Sequence, residues 1–343
     1  MPETHAQTWN SLAELRSELA GVGAKEPHLI ALTRTWLQGR RLVDIERRRF
    51  APLPRSVDVE LAGFDARLDA VAKLDERHGS GDGSQRVLLR LSDGQSVESV
   101  FLPRRALCVS SQIGCAVGCR FCMTGRSGLI RQASSLEILA QVVQARRAGH
   151  EVHRVVFMGM GEPSHNMPAL REACRELGGE GHIPHKHLVF STVGHPSTFA
   201  QLRKWPVRPA LALSLHSCDD ELRRHLLPRA PKVAVRELLA AAHAYAREIT
   251  WPVQVQWTLL RGVNDSDAAI DALAQAMQGV HGMVNVIPFN EVEGLDYERP
   301  SWERGGEIVQ RLRRAGLWAT IRQSSGQDVD GACGQLRARA AAE

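Results

Sequence analysis

From residue 108 onward, short apolar runs alternate with segments of helical period. The runs RVVFMGMG (154–161), HLVFSTVG (187–194), ALALSLH (210–216), VQVQWTLL (253–260) and VNVIPFN (284–290) are each four to eight residues long, rich in β-branched types and bounded by turn formers. They predict buried strands. Between them, SLEILAQVVQARRAG, AVRELLAAAHAYAREI and SDAAIDALAQAMQG repeat apolar residues at helical spacing. A further strand at ALCVSS gives roughly six βα units, hence an α/β fold with a parallel sheet and right-handed crossovers. A closed or partly open barrel is the preferred form. Polar residues fall where the strands end: Glu162, Ser191, Ser214 with His216, and Asn290. Any one of them could simply begin a loop. Five in succession predict a site, because the carboxyl ends of the strands build the active site of a parallel barrel.

Upstream, RVLLRLSDGQSVESVFLP (86–103) reads as a β-hairpin turning at Asp93-Gly94. Glu98 shares a face with Val100 and Leu102, so it is either an edge charge or a placed functional group. Residues 1–50 read as helical and end in a basic segment with Trp36 and Phe50 among six arginines from Arg34 to Arg49. That segment is open to two readings: a face for phosphates, or a solvated helix whose Leu37, Val43 and Ile45 pack inward. The organisation expected is an accessory region over 1–80, a hairpin extension over 81–107, a barrel core over 108–322 and a tail over 323–343.

Charge adds little: 43 Lys plus Arg against 38 Asp plus Glu leave a net +5 over 343 residues, a mild bias towards polyanions. Neither a signal pattern nor an apolar run of about 18 residues is present, so a soluble, cytoplasmic protein with no membrane partner is expected.

Cysteine carries the chemistry. Of seven cysteines, four lie in CVSSQIGCAVGCRFC (108–122), where Cys115, Cys119 and Cys122 form a C-x3-C-x2-C run and Cys108 stands seven residues upstream. Disulfides within so tight a run would be strained, so metal binding or catalysis is indicated. Three thiolates can hold a 4Fe–4S cluster and leave the fourth iron open. Structural zinc normally takes four ligands, often as two C-x2-C pairs, and the second pair is missing. The cluster is preferred, with zinc as the alternative. Cys174, in the helical LREACREL, and Cys218 are read as structural.

C-x3-C-x2-C after the first barrel strand resembles the radical S-adenosylmethionine (SAM) superfamily. The ordered motifs CVSSQIGCAVGCRFC, MGMGEP, STVG, SLH, LLRGVNDS, VIPFN and DVDGACGQL, spread over about residues 86–337, resemble the RlmN/Cfr family of RNA adenine methyltransferases. The resemblance implies a partial (β/α)6 radical SAM barrel with a small N-terminal helical and β-hairpin accessory region. Its implied cofactors are the 4Fe–4S cluster on Cys115, Cys119 and Cys122, and SAM contacted by Gly161, Glu162, Ser191, Ser214, Leu215, His216 and Asn290. Cys333 would carry the methyl group as S-methylcysteine, Cys108 would resolve it through a transient disulfide, and Glu98 would accept a proton. Ordinary displacement from SAM cannot methylate an unactivated adenine ring carbon, so a radical route is implied. RNA, ribosomal or transfer, is the implied partner, together with an electron donor such as flavodoxin or ferredoxin, and a monomer is expected. C2 is favoured over C8, and a radical SAM enzyme with a non-RNA substrate is the rival reading. RQASSLEI and SCDDELRRHLLPRA depart from the family's usual RNLTAGEI and APNDELRxxLVPIN, and both departures bear on the RNA target rather than on the radical machinery.

Overall fold

The computed structural model describes residues 9–46, 52–126, 128–292 and 294–336. Its frame is one ten-stranded sheet in the order β1-β2-β3-β4-β7-β8-β9-β10-β11-β12. The first strands, β1 (Ala72–Gly79), β2 (Gln85–Leu91), β3 (Ser96–Leu102) and β4 (Ala106–Cys108), run antiparallel to one another. From β4 the sheet becomes parallel through β7 (Arg154–Phe157), β8 (Leu188–Thr192), β9 (Ala210–Ser214), β10 (Val253–Leu259), β11 (Gly282–Pro288) and β12 (Ala319–Ile321). Six connections separate these seven parallel strands, each with a helix, which gives the expected (β/α)6 arrangement. A two-stranded ribbon, β5 (Gln112–Gly114) with β6 (Leu129–Gln132), branches from the loop after β4.

The central strands are almost wholly buried because helices cover one face and the barrel interior the other, so their sequences are continuous apolar runs. Helix starts are set by local chemistry. In α5 (Ser135–Arg147), the Ser134 hydroxyl accepts from Glu137 N while the Glu137 carboxylate accepts from Ser134 N, a reciprocal cap. The amphipathic α9 (Val235–Glu248) turns Leu238, Leu239, Ala242 and Tyr245 inward. Buried Tyr245 keeps its hydroxyl satisfied by donating to Pro209 O at 2.7 Å.

At the N-terminus, α1 (Leu12–Gly21), α2 (Glu26–Leu37) and α3 (Arg55–Val71) share one buried apolar cluster with the barrel, from Trp9 through Trp36 and Leu61 to Leu139 and beyond. This region is continuous with the core. The hairpin expected at 86–103 is present, but β1 adds a third antiparallel strand that the sequence reading left inside its accessory region. A boundary at 80/81 would cut the β1–β2 turn. In the basic segment, the described arginines are engaged internally: Arg34 with Glu180 at 2.8 Å, Arg40 with Glu46 at 2.8 Å and Arg41 with Asp65 at 3.7 Å. Leu37 and Ile45 pack inward. These pairs favour the solvated-helix reading for Arg34, Arg40 and Arg41. Arg47, Arg48, Arg49 and Phe50 lie outside the described residues.

Candidate active site

The strands' carboxyl ends surround an open cavity lined by Cys115, Cys119 and Cys122 together with the rim residues. The cysteine loop forms its own apolar cluster, in which Cys115, Val117 and Phe121 pack with Val193, Leu226, Leu260 and Phe289. That shell buries Cys115, while Cys119 and Cys122 stay partly exposed. Local geometry fixes the loop: Cys115 N donates to Gly128 O at 2.8 Å and Cys122 N to Cys119 O at 3.1 Å. Gly114 has φ +79°, and a Cβ there would stand 1.9 Å from Gly128 O, so only glycine permits the β5–β6 approach that aims Cys115 inward.

Burial pushes all three thiols up, and each also feels its neighbours' charge: Cys115 to about 12, Cys119 well above its ordinary value, and Cys122 upward. They stay protonated until a metal replaces the protons. Among the described residues no three His, Cys, Asp or Glu side chains are gathered so as to hold a single ion. A cubane does not need that gathering, since each thiolate takes a different iron.

Gly161 and Glu162 follow β7, and the Glu162 charge reaches Cys115 and Cys119. Glu162 is buried, its carboxylate accepting from Ser164 N at 3.0 Å and Val193 N at 3.0 Å. Ser191, next to last in β8, and Ser214, the last residue of β9, line the cavity. Leu215 is fully buried and outside the lining, its N–H on Gln256 O at 3.1 Å. His216 takes a left-handed conformation (φ +61°) that folds its ring against the edge of Phe121, centroids 4.8 Å apart, with Nδ1 accepting from Thr258 N at 2.9 Å. Burial, seconded by Arg223, holds His216 neutral with its pKa near about 3. Asn290 donates to Ser324 Oγ at 3.0 Å and Cys333 O at 2.9 Å, leaving its buried Oδ1 without a partner. Gln256 Oε1 is likewise buried, unpartnered and part of the lining residue set. Two orphaned acceptors, a carboxylate and two hydroxyls suit a ligand rich in ammonium, amine and hydroxyl donors. SAM is such a ligand, so residues and cofactor fit.

Cys333 is exposed and lines this cavity and a second one. The second cavity is lined by Cys108 as well, and Cys122 and Arg322 border both. Cys108 is raised to about 12 by burial and by Cys333, while Arg322 pulls it down. Glu98 lines neither cavity: it is fully buried and accepts from Arg86 NH1 at 2.6 Å. Cys174 is fully buried in α6 (Met167–Gly178).

Sequence reading missed Gln256, Thr258 and Arg322. The first two alternate with apolar partners inside β10 and so end no run. Arg322 follows a strand of three residues, its NH1 resting 3.8 Å from Met158 Sδ. Arg223 was also passed over: NH2 donates to Val193 O at 2.6 Å and Ser214 O at 3.4 Å, tying the ends of β8 and β9 together.

Among the described residues no helix is long and apolar enough to cross a membrane. The Radical SAM superfamily model matches residues 109–274. A probable RNA methyltransferase of Bordetella avium is 54% identical over 94% of this chain and 92% of its own length. One from Pseudomonas aeruginosa is 52% identical over 95% of each. The crystal structure of a radical SAM methyltransferase from Sphaerobacter thermophilus superposes with a TM-score of 0.83 at 35% identity, covering 97% of this chain and 98% of the other. Three cysteines facing a donor-seeking cavity at the strand ends, and identity above one half across nearly the whole length, have one meaning: the chain is a radical SAM enzyme of the same family as these methyltransferases.

Proposed function

We propose that this chain methylates a ring carbon of an adenine, C2 in preference to C8, in ribosomal or transfer RNA, with Cys333 as the methyl carrier and Cys108 as its resolving partner. What carries the reading is the station of Cys333, whose side lines both the cavity of the three cluster cysteines and the cavity of Cys108. Relatives named as probable RNA methyltransferases support RNA as substrate.

When bound on Cys115, Cys119 and Cys122, the cluster, together with SAM, supplies electrons, a methyl group and a carbon-centred radical. Glu162, Ser191, Ser214 and the orphaned Asn290 and Gln256 oxygens hold and orient SAM. Neutral His216 fixes the Thr258 backbone beside it. Cys333 sulfur, once deprotonated, takes the methyl by displacement. After the carbon is joined to adenine, the adduct must lose a proton and its unpaired electron: Glu98 accepts the ring proton, for which it must leave Arg86, and the electron returns to the bound cluster. Cys108 thiolate then attacks Cys333 sulfur, forming an S–S bond. The C–S electron pair goes to the methylene carbon, which takes a proton to become the methyl group. Arg322 favours the thiolate required for that attack. A two-electron thiol reductant reopens the disulfide. An electron donor of the flavodoxin or ferredoxin type and a monomeric enzyme complete the reading.

Two variants test it. Cys333→Ala should neither acquire a methyl thioether nor modify RNA, whereas Cys108→Ala should accumulate RNA joined to Cys333, seen as a protein–RNA band on a denaturing gel. Normal turnover by Cys108→Ala would remove the resolving role. Mass spectrometry of RNA from cells with and without the gene decides between C2 and C8, and between the RNA classes. Absence of any RNA change would favour the rival non-RNA substrate.

A further inference from the structure

Cys333 sits on a tail that has left the barrel, so something must hold it between the two cavities. Downstream the barrel does so: Asn290 Nδ2 donates to Cys333 O at 2.9 Å, Met123 N to Gly334 O at 2.8 Å and Thr124 Oγ1 to Leu336 O at 2.5 Å. Upstream the holders come from the opposite edge of the sheet, about 245 residues earlier. Ser80 Oγ donates to Asp328 Oδ1 at 2.5 Å and Gly81 N to Asp328 Oδ2 at 3.2 Å. Gly326 N donates to Asp82 Oδ2 at 3.1 Å. Arg86, itself buried against Glu98, donates through Nε to Val329 O at 2.6 Å.

The fit is close as well as polar. Gly326 is buried at φ +74°, and a Cβ there would stand 3.1 Å from Ser84 Oγ. Burial opposes the Asp82 charge, but the bonds from the Ser84 hydroxyl and amide and the Gly326 amide outweigh it and bring its pKa down to about 2. The acceptor is therefore charged throughout the physiological range. Between the upstream anchor at Val329 and the downstream one at Cys333 lie only Asp330, Gly331 and Ala332, with Asp330 in the left-handed region. So short a span gives Cys333 little freedom while both ends are held, and much more when one is released.

We propose that the Ser80–Ser84 turn is a latch that docks the tail and sets the station of Cys333, with Asp82 and Asp328 as positioning residues. It rests on the reading of Cys333 as methyl carrier. Under this inference the antiparallel hairpin serves the chemistry from outside the barrel, and Arg86 joins Glu98 to the same device. Each latch bond alone is worth little at a surface, but placement within about an ångström decides group transfer.

The test uses the full-length, cluster-reconstituted enzyme as wild type, as the double variant Asp82→Ala with Asp328→Ala, and as the double variant Asp82→Asn with Asp328→Asn, which keeps an acceptor oxygen at each position. The rate of methyl loading on Cys333 is read by peptide mass spectrometry, SAM affinity and iron content are measured alongside, and hydrogen exchange is followed over residues 326–336. The alanine pair should load methyl about tenfold more slowly and exchange faster over the tail, with iron content and SAM affinity unchanged. The asparagine pair should recover most of the rate. Unchanged loading, unchanged tail exchange, or a parallel fall in iron content would each overturn the latch. A wild-type enzyme that never loads Cys333 would instead overturn the carrier reading, and faster tail exchange in the alanine pair would still support the docking.

Discussion

His216 couples the stability of the fold to pH in a way that can be calculated. Its ring is buried at the strand rim, accepts from Thr258 N and is held neutral, with a folded pKa of about 3 against an ordinary 6.5. Because the folded value lies below the unfolded one, the unfolded chain takes up a proton that the folded chain refuses at every pH between them. The contribution is therefore fully present above 6.5, declines as pH falls, and is spent near 3. Between pH 7 and pH 5 the loss from this group is about 2 kcal/mol. Substituting Gln removes the titration. It also removes the ring's edge contact with Phe121, about 1 kcal/mol, and risks orphaning Thr258 N, about 1–3 kcal/mol. His216→Gln should thus be the less stable chain at pH 7, with the difference shrinking by about 2 kcal/mol at pH 5. Urea unfolding of both chains, purified without iron, measures this directly. His150 and His187, whose pKa values are also lowered by burial, are present in both chains and cancel. A stability difference that stays the same at the two pH values would refute the buried, neutral histidine.

Further outcomes follow from the cysteine loop and the core. Cys119→Ala should lose bound iron and sulfide and with them SAM cleavage, because two thiolates cannot hold the cluster; full iron content in that variant would reassign the ligands. Gly114→Ala should lower the thermal midpoint by an amount corresponding to about 3 kcal/mol or more, since a left-handed backbone and a 1.9 Å collision coincide there. An unshifted midpoint would contradict the β5–β6 contact. Tyr245→Phe should cost about 1–2 kcal/mol in unfolding free energy through the unsatisfied Pro209 carbonyl, with SAM affinity unaltered because the hydroxyl lies away from the cavity.

The parallel strands were legible because both their faces are covered, which writes an uninterrupted apolar run. β1 was not. AKLDERHG lies at the sheet's edge, largely exposed, and its charges conceal a strand that the pairing with β2 creates. β12 escaped through brevity. At the rim, Glu162, Ser191, Ser214, His216 and Asn290 were visible as polar residues ending apolar runs, and all five line the cavity. Glu98 shows the opposite. Its sharing of a strand face with Val100 was readable, but its partner was not: Arg86 stands opposite Val100 and Glu98 opposite Leu88. Their contact is a diagonal between neighbouring strands, which only the register reveals. The tail's partners, about 245 residues away, leave no local trace at all.

That long return has a consequence for the enzyme's birth. Residues 326–336 leave the ribosome after the barrel strands, while the turn that receives Asp328 emerges roughly two hundred and fifty residues earlier. Loop closure of that length is slow and waits on the barrel in between. A nascent chain can therefore shape the proposed cluster pocket well before it has the proposed carrier thiol in place. A chain cut short before Cys333 cannot assemble both halves of the proposed chemistry, so the proposed capacity for group transfer arrives only after the barrel has been made.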